Sequence, residues 1–582
     1  MDKCRCYTIL ATIFPVTVCV TQAAAPKRCA MNDQSFSTHE VFNQSPPYGG
    51  LNIWLGDPLL NRVCSHFPDV VKADLGNHGA WAGQSESLEM ARLANRHLPA
   101  LRTHDPKGNR VDQVDYHPAY HALMRKSVSA GMHSSVWFDD RIEQGIRNTA
   151  RGARYFMTSQ VETGHLCPIT MTNAAVAALT ATPSVLEEWL PLIRTRKYDS
   201  SHKPPVQKAG LTLGMGMTEK QGGTDVRANT TRAQPAGEGL WRITGHKWFM
   251  SAPMCDAFLV LAQMPMNGGA EGLGCFLLPR ILPDGQTNGF RFQRLKDKLG
   301  NRSNASSEVE FHDALGQLVG EPGRGIATII EMVTLTRLDC ATSSAGMMRA
   351  CVAEAVHHTR HRKVFGKNLI DQPLMTRVLA DLALDVAAAT ALSMRLARSF
   401  DEAPKNPAEA AYARLMTPVT KYWVCKSNAP LIGEAMECMG GNGYIEEGNL
   451  ARHFRDAPVN AIWEGSGNVM CLDIMRVLGG GKPAVDPVLD TLQRDLGGDN
   501  AAKTVEVIRT ACDMAASDPG SARILAEQLA LTAAGAELKR LELGPIADAF
   551  IESRLGGLWR STYGMLDNRY DASMILAALY PV

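Results

Sequence analysis

A single carboxylate, Glu464, lies between Trp463 and a Gly-Ser-Gly turn in the segment AIWEGSGNVM, residues 461–470. A carboxylate beside an indole ring loses part of its hydration, which raises its affinity for a proton and suits it to act as a general base. An ordinary loop glutamate beside a tight turn has the same local sequence. The segment by itself favours the ordinary loop, so the rest of the chain must decide between the two.

Three other segments carry residues that could hold a planar, phosphorylated ligand. Residues 214–233 read GMGMTEKQGGTDVRANTTRA and offer the hydroxyls of Thr218 and Thr224 beside a pliable Gly-Gly pair. Residues 245–261 read GHKWFMSAPMCDAFLVL, in which two aromatic residues suited to a flat heterocycle are followed by a small polar one. Residues 434–457 read EAMECMGGNGYIEEGNLARHFRDA, whose glycines could approach a pyrophosphate. Their spacing is not the G-x-G-x-x-G of a Rossmann site.

Two other chemistries are weighed from the same residue types. EAVHHTRH at 354–361 and ETGH at 162–165 hold two E-x-x-H pairs, the spacing used by carboxylate-bridged di-iron bundles. Gly164 weakens the second pair as a helix, and a β-rich region separates the two, so solvated helix faces are favoured and no metal is expected. A Ser-His-Asp hydrolase is disfavoured because the chain has no G-x-S-x-G element, which EGSGN only approaches.

The hydrophobic periodicity divides the chain into regions that must position these segments. Residues 38–210 are mainly helical in pattern, residues 211–322 are short β-rich runs separated by Gly, Pro and Asn, and residues 323–478 return to long helical segments. GGGKPAVDP at 479–487 has the composition of a linker, and a last helical region occupies 488–582. This order predicts a multidomain α+β protein.

Length and composition limit the class of protein. The 582 residues are 45% hydrophobic, which at ~150 residues per domain predicts three or four domains. The formal net charge of +1 gives no overall excess that would indicate nucleic acid or an acidic membrane. The 14 cysteines include no CxxC pair and indicate reduced thiols of a cytoplasmic protein.

The first 30 residues have a different character from the rest. They combine basic residues, an apolar run and an Ala-rich end, which is the layout of a secretory signal. The cysteine pattern of the rest of the chain argues against export. We therefore favour a cytoplasmic protein that starts at Met31, and we treat residues 1–37 as a leader or a wrongly assigned start.

The glycine-bearing segments, in this order around a β-rich region, resemble the acyl-CoA dehydrogenases. GMTEKQGGTDVRA fits every fixed position of that family's first motif, and ECMGGNGYIEEGNLARHFRD fits the second. GMGMTEKQGG, RLKDKLGNRSNAS, QPLM and IWEGSGN are similar, nearly letter for letter, to its AidB-like branch, flavoproteins linked to the adaptive response to DNA alkylation. The similarity runs from about residue 38 to about residue 478. It implies an N-terminal helical domain, a central β barrel, a C-terminal four-helix bundle that builds a homotetramer, and an extra C-terminal helical domain.

The resemblance also implies that FAD binds between the barrel and the bundle. The residues that fall at the family's flavin positions are Met217, Thr218, Thr224, Phe249, Ser251, Gly440, Gly441, Ile462, Trp463, Gly465, Ser466 and Asn468. The residues at positions that reach the FAD of a neighbouring subunit are Arg362, Phe365 and Gln372.

Glu464 falls where the family places its catalytic base. The resemblance therefore favours a general base over an ordinary loop glutamate at this position. The base would remove the proton α to a thioester carbonyl while the β-hydride passes to the flavin, and the Glu464 backbone N–H would help to polarise the thioester oxygen. The isovaleryl branch places its base elsewhere, and here that position holds Thr336, which cannot act as a base.

The resemblance to the AidB-like branch implies that the last helical region binds double-stranded DNA, but the charge of this region does not fit that role. Residues 480–582 carry ten Lys and Arg against fourteen Asp and Glu, a net charge of −4, whereas a phosphate-binding surface should be basic. A local stripe could still be formed by Lys539, Arg540, Arg554 and Arg560. Two functions are therefore open: a flavin dehydrogenase of a short or branched acyl-CoA, and a flavoprotein that binds double-stranded DNA with little turnover of any thioester.

Overall fold

The described part of the chain covers most of its length. The computed structural model describes residues 38–138, 141–498, 500–556, 562–563, 565–566 and 569–581. The chain divides into residues 1–44 and one compact unit of residues 45–582. In the first division, residues 38–44 form no helix or strand. The prediction of a leader or a later start concerns residues 1–37, which lie outside the described residues.

The first part of the compact unit is mainly helical, as predicted, with one β-hairpin inserted. Its helices are α1 (Pro58–Val63), α2 (Asp69–Ala82), α3 (Ser85–Arg96), α4 (Pro118–Ser129), α5 (Arg147–Ser159), α6 (Leu166–Leu179) and α7 (Pro183–Ile193). The hairpin pairs β1 (Ala100–His104) with β2 (Arg110–Asp115). The Asp105 carboxylate closes its turn by accepting hydrogen bonds from the backbone N–H groups of Lys107 and Asn109, at 2.8 and 2.9 Å.

A β barrel follows, in the region where the sequence predicted short β-rich runs. Its strands are β3 (Leu213–Gly216), β4 (Arg232–Gly237), β5 (Leu240–Ser251), β6 (Ala257–Pro265), β7 (Glu271–Pro279), β8 (Phe290–Leu295) and β9 (Ser306–Val319). The pairings run from β6 through β4, β5, β9 and β7 back to β6, so the sheet closes on itself. β3 adds to β6, and β8 adds to β9. The interior is filled by aromatic side chains that include Phe258, Phe276, Phe290, Phe292 and Phe311.

The helical bundle after the barrel is built on three long helices. They are α8 (Gly325–His361), α9 (Pro373–Glu402) and α10 (Pro407–Cys438), with the two-residue strands β10 (Lys363–Val364) and β11 (Lys367–Asn368) in the first connection. The fourth position of the predicted bundle is divided among shorter helices. These are α11 (Gly441–Tyr444), α12 (Leu450–Asn460) and α13 (Gly467–Leu478). The break between α12 and α13 contains Glu464.

The last region is helical, as predicted, but it begins earlier than expected. Its helices are α14 (Lys482–Leu496), α15 (Ala501–Ser517), α16 (Ala522–Arg540), α17 (Gly544–Leu555) and α18 (Ala572–Leu579). The predicted linker at 479–487 is therefore wrong from Lys482 onwards. Pro483 lies in the first turn of α14, where proline favours a helix start, rather than interrupting the chain.

Helix α9 is the common core of the bundle and the last region. Its residues from 379 to 397 are all buried, because α5, α8, α10, α16 and α18 pack around it. Among the described residues, no helix has the length and apolar character needed to cross a membrane. The ten described cysteines are free thiols, nine of them buried, in keeping with the expected reduced state.

A buried carboxylate joins the last region to the bundle. Glu537 on α16 is 2% exposed. Its oxygens lie 3.2 Å from the Arg398 guanidinium and 2.7 Å from that of Arg540, and Arg395 approaches within 3.9 Å. Arg395 is also bound to Glu409 on α10 at 2.7 Å. Arg398 and Arg540 therefore take their short carboxylate contacts from Glu537, whereas Arg395 is paired mainly with Glu409.

We expect Glu537→Gln to lower the free energy of unfolding by about 3 kcal/mol, because removing one partner of a buried charge network leaves the other charges uncompensated. The shift of the urea unfolding midpoint measures this change. Glu542→Gln is the matched control, because Glu542 pairs with Arg62 at the surface and exposed pairs contribute little. Equal midpoints for the two variants would contradict the assigned role of Glu537.

Candidate active site

Glu464 occupies a tight turn between α12 and α13. Its φ of 58° and the φ of 104° at Gly465 both fall in the left-handed region. That conformation is uncommon for a glutamate, and a side chain at Gly465 would also meet Met470 and Val469. Strained backbone of this kind persists where the surroundings impose it, and it is often found at functional sites.

Two cations on the long helices hold this turn by its carbonyl groups. Arg337 on α8 donates from Nε to the Glu464 carbonyl oxygen at 3.0 Å, and Lys421 on α10 donates from Nζ to the Gly465 carbonyl oxygen at 2.5 Å. Asp473 on α13 balances the Arg337 charge at 2.8 Å. The turn is therefore fixed from both sides without engaging the Glu464 carboxylate in an ion pair with either cation.

The Glu464 carboxylate has one hydrogen-bonding side chain beside it. Its Oε2 lies 2.7 Å from the hydroxyl of Thr336, which in turn lies 2.9 Å from the Val333 carbonyl oxygen. Burial raises the pKa of Glu464 above its ordinary value, while Thr336 and the charges of Arg337 and Lys421 oppose the rise. The result is a carboxyl with increased proton affinity, which suits proton abstraction.

The first glycine-bearing motif is tied to β5 by a buried ion pair. Lys247 donates from Nζ to Glu219 Oε1 at 2.7 Å, and both side chains are fully buried. Burial alone would raise the pKa of Glu219, but Lys247 lowers it to about 2, so Glu219 is a carboxylate. Glu219 also accepts hydrogen bonds from the backbone N–H groups of Thr230 and Thr231. These contacts fix the loop that carries the exposed Thr224.

The same loop meets the end of β5, where the aromatic residues lie. The Trp248 N–H donates to the Thr218 carbonyl oxygen at 2.8 Å. The Met217 carbonyl oxygen likewise accepts from Asn229 Nδ2 at 3.0 Å. Phe249 is 49% exposed, and the Ser251 hydroxyl lies 3.1 Å from that of Ser306 on β9. The structure thus brings Met217 and Thr218 together with the strand that carries Phe249 and Ser251.

Gly440 and Gly441, between α10 and α12, leave the backbone open. Gly440 has φ 59° and ψ −142°, which only glycine adopts readily. A Cβ added at either position would meet no atom within 4 Å. Internal packing therefore does not require glycine here, and the open backbone could admit a ligand.

Arg362, Phe365 and Gln372 lie on the connection between α8 and α9, which is separate from the strand that carries Phe249. Gln372 donates from Nε2 to the Val364 carbonyl oxygen at 3.0 Å, and the Leu369 N–H donates to the Arg362 carbonyl oxygen at 2.8 Å. Phe365 is 95% exposed. An apolar ring this exposed at the tip of an ordered connection is available to a second molecule.

The remaining predicted residues lie around the Glu464 turn. Trp463 donates from Nε1 to Asn460 Oδ1 at 2.9 Å, while Ile462 and Ser466 are exposed. Asn468 is already engaged, because its Oδ1 accepts two hydrogen bonds from Arg523 on α16 at 2.7 and 3.0 Å. The last helical region therefore reaches this turn, a contact that the sequence did not indicate.

The two E-x-x-H pairs do not converge on a metal. Glu162 and His165 are fully buried and bonded to each other at 2.6 Å. His357 is bonded through Nε2 to the Pro46 carbonyl oxygen at 2.9 Å. No group of three or more His, Cys, Asp or Glu side chains suited to a metal ion occurs in the described ranges. Glu354 and His357 are half-buried and His358 is buried, whereas His361 is exposed. The interpretation as solvated helix faces is therefore wrong for the Glu162 pair and holds only at His361 in the other segment.

The basic stripe that the last region could have formed is paired with carboxylates at its three described positions. Arg540 is bound to the buried Glu537, and Lys539 is bound to Asp548. Arg554 is buried against Asp381 and Asp385, at 2.7 and 2.9 Å. Arg560 lies outside the described residues. Three of the four cations are thus used within the chain, because the excess of acidic side chains supplies each with a partner.

Sequence reasoning missed several residues that build this site. Lys247, Arg337 and Lys421 act on partners more than 25 positions away, so no local pattern reveals them. Thr336 was considered only as a possible base and dismissed, although its hydroxyl contacts the carboxylate. The one available signal was Glu219, which stands inside the first motif next to Thr218.

Comparisons with known proteins agree with this architecture. Three family domains match the chain: the adaptive response protein AidB N-terminal domain at residues 43–200, the acyl-CoA dehydrogenase middle domain at 214–314 and the acyl-CoA dehydrogenase C-terminal domain at 323–479. The putative acyl-CoA dehydrogenase AidB of Escherichia coli (strain K12) is 44% identical over 523 residues, covering 89% of this chain and 95% of that protein.

Relatives from an animal extend the similarity. Acyl-CoA dehydrogenase family member 11 of Caenorhabditis elegans is 34% identical and covers 74% of this chain and 71% of that protein. The crystal structure of Caenorhabditis elegans ACDH-11 in complex with C11-CoA superposes with a TM-score of 0.79 at 28% identity, covering 94% of each chain. The chain therefore belongs to the acyl-CoA dehydrogenase family, in its AidB-like branch.

Proposed function

We propose that this protein oxidises an acyl-CoA thioester to its α,β-unsaturated product, with Glu464 as the catalytic base. As a member of its family, the chain is an FAD-dependent oxidoreductase of the acyl-CoA dehydrogenase type. The observation that carries the proposal is the Glu464 carboxyl, which is half-buried and has a raised pKa, while no cation of the described residues forms an ion pair with it. A carboxylate held in this state is a base rather than a structural anchor.

The residues present fit FAD. The half-exposed Phe249 ring and the Ser251 hydroxyl stand at the end of a strand that is joined to Met217 and Thr218. Gly440 and Gly441 provide open backbone for a phosphate group. When bound, FAD would supply the two-electron redox chemistry by accepting a hydride, while the protein supplies orientation. The proposed cofactor contacts are completed by Thr224, Ile462, Trp463, Gly465 and Ser466. The Asn468 side-chain oxygen Oδ1 already accepts hydrogen bonds from Arg523.

Thr336 gives Glu464 a partner in both of its protonation states. When Glu464 is ionised, the Thr336 hydroxyl can donate its single proton to Oε2. After Glu464 has taken a proton from the substrate, its O–H can donate to the Thr336 oxygen, and the Thr336 proton can turn to the Val333 carbonyl oxygen 2.9 Å away. The base therefore keeps a hydrogen bond on either side of the proton transfer.

The substrate class rests on the family and on the ACDH-11 complex with C11-CoA. A thioester oxygen placed beside the Glu464 turn would be polarised by the Glu464 backbone N–H, which would stabilise the enolate-like charge as the α-proton leaves. Arg337 and Lys421 fix the turn through its carbonyl groups. This would keep the distance and orientation between the Glu464 carboxylate and its backbone N–H constant.

Assembly into a tetramer is part of the proposal. The exposed Phe365 and the neighbouring exposed Leu374 offer an apolar surface at the α8–α9 connection, where Arg362 and Gln372 also lie. Such a surface is suited to a second copy of the chain, with these residues reaching its FAD. The DNA-associated alternative receives no support from the paired cations Lys539, Arg540 and Arg554, so the proposal is confined to thioester chemistry.

We expect Glu464→Gln to retain FAD but to slow flavin reduction by an acyl-CoA by about 10²- to 10⁴-fold, the usual effect of losing a general base. The substitution keeps the size of the side chain and a hydrogen bond to Thr336 while removing the basic oxygen. Anaerobic stopped-flow reduction with a series of acyl-CoA chain lengths measures the rate. Glu331→Gln, an exposed position on α8, is the control. A Glu464→Gln protein reduced as fast as the parent would exclude Glu464 as the base.

Thr336→Val should move the acid limb of the pH–rate profile upward by about one pH unit, since a hydrogen bond to a charged group stabilises that charge. Thr336 lowers the Glu464 pKa. Its removal therefore raises that pKa, and a higher pH is needed to ionise the base. The control is Thr334→Val, because the Thr334 hydroxyl bonds only to the Ile330 carbonyl oxygen of its own helix. An unmoved limb in Thr336→Val would refute the contact as a functional one.

Phe365→Asp should convert the tetramer to smaller species and lower FAD retention together, because a carboxylate cannot be buried in an apolar interface without a partner. Asp tolerates the φ of 52° at this position, so the backbone is not the cause of the loss. Native mass spectrometry gives the assembly state and absorbance gives the FAD content. Val206→Asp, at another exposed apolar residue, controls for added charge. A tetramer that persists in Phe365→Asp would place the interface elsewhere.

A further inference from the structure

A partly buried lysine stands beside the proposed flavin position without a counter-ion. Lys298 lies between β8 and β9, and its Nζ donates to the Asn304 carbonyl oxygen at 2.6 Å and to the Ser306 hydroxyl at 3.1 Å. Within the residues that the structure describes, no carboxylate forms an ion pair with it. Both of its oxygen partners are neutral, and the carboxylates of Asp456 and Glu162 act on its charge only from beyond ion-pair distance.

Lys298 is connected to the proposed cofactor position by one further contact. The Ser306 hydroxyl that accepts from Lys298 lies 3.1 Å from the hydroxyl of Ser251. Ser251 and Ser306 are also cross-strand partners on β5 and β9. The Lys298 ammonium is therefore linked through the Ser306 hydroxyl to Ser251, the residue proposed to flank the flavin ring.

The surroundings of Lys298 form a polar cluster with unused hydrogen-bonding capacity. Asn304 is 1% exposed, and neither polar atom of its side chain has a hydrogen-bond partner. Burial lowers the pKa of Lys298 to about 8, although the charges of Asp456 and Glu162 oppose this shift. Buried polar groups without partners, and a cation without a directly paired carboxylate, are costly unless a ligand supplies the missing contacts.

The proposed reaction moves negative charge into this neighbourhood. The substrate loses its α-proton to Glu464 and its β-hydrogen, with the electron pair of that bond, to FAD, and a carbon–carbon double bond forms. Glu464 changes from a carboxylate to a neutral acid, and the two-electron-reduced cofactor carries the negative charge. The total charge of the site stays constant, but the negative charge would move from Glu464 to the reduced cofactor.

We propose that Lys298 is a cofactor-binding residue whose ammonium, placed through Ser306 and Ser251, stabilises the negative charge of the reduced flavin. The inference rests on the proposed function, because it takes Ser251 as a flavin contact. It assigns a role to a residue outside the glycine motifs and outside the Glu464 turn. Lys298 thereby sets how readily the cofactor accepts electrons, whereas Glu464 governs proton removal.

The test measures the two-electron midpoint potential of the FAD-loaded protein by spectroelectrochemistry without substrate. Lys298→Met should lower the equilibrium constant for flavin reduction at least tenfold, which corresponds to a midpoint potential lower by about 30 mV for two electrons. Lys298→Gln should behave in the same way while keeping a neutral hydrogen-bond donor, and Lys298→Arg should retain the parent potential because it keeps the charge. Lys203→Met, at an exposed loop cation, controls for the overall loss of one positive charge.

Sulfite gives an independent readout because its adduct with oxidised flavin is also anionic. The dissociation constant for sulfite should rise about tenfold or more in Lys298→Met and Lys298→Gln, and stay unchanged in Lys298→Arg. Parent values in the two neutral variants would overturn the proposal, and so would an equal loss in Lys298→Arg, which would indicate packing. A parent protein that takes up no FAD would instead defeat the proposed function itself.

Discussion

The proposed active site depends on holding one half-buried carboxylate in place without pairing it with a cation. Arg337 and Lys421 both stand near Glu464, and either could have formed an ion pair that would depress its pKa and abolish its basicity. Instead they bind the carbonyl groups of the turn, and Asp473 absorbs the charge of Arg337. The bundle supplies this arrangement because its fourth position is broken between α12 and α13, which lets the turn face both α8 and α10.

Three other pairs of buried charges are bonded directly to each other, unlike Glu464 and its neighbouring cations. Glu219 with Lys247, Arg151 with Asp339, and Lys208 with Asp256 are direct pairs, each buried and each within 2.7 Å. Buried pairs of this kind contribute little net stability compared with apolar packing, but they penalise any alternative arrangement of the segments they join. Direct pairing thus fixes the scaffold, whereas Glu464 and Lys298, to which the proposals assign chemistry, have no directly paired charge among the described residues.

The sequence predicted what depends on local periodicity and on family motifs. Short β-rich runs separated by Gly, Pro and Asn predicted the β domain, and the family motifs implied that it is a barrel. The β1–β2 hairpin was missed because its strands are short and mostly polar, although Asp105 and Gly108 mark its turn. The linker predicted at 479–487 was wrong in part because proline can begin a helix as well as end one, and Pro483 lies in the first turn of α14. Thr336 and Lys298 could not be found, since their importance lies in partners brought near only by the fold.

The Glu219–Lys247 pair has a consequence for the energetics of ligand capture. The loop from 219 to 231 is held to β5 by contacts that belong wholly to the protein, so its conformation does not await a bound molecule. Ordering a loop at the moment of binding would subtract from affinity, and rigidity already present avoids that loss. The proposed FAD surface on the barrel is therefore ordered before the cofactor binds, so binding would not lose affinity to the ordering of this loop.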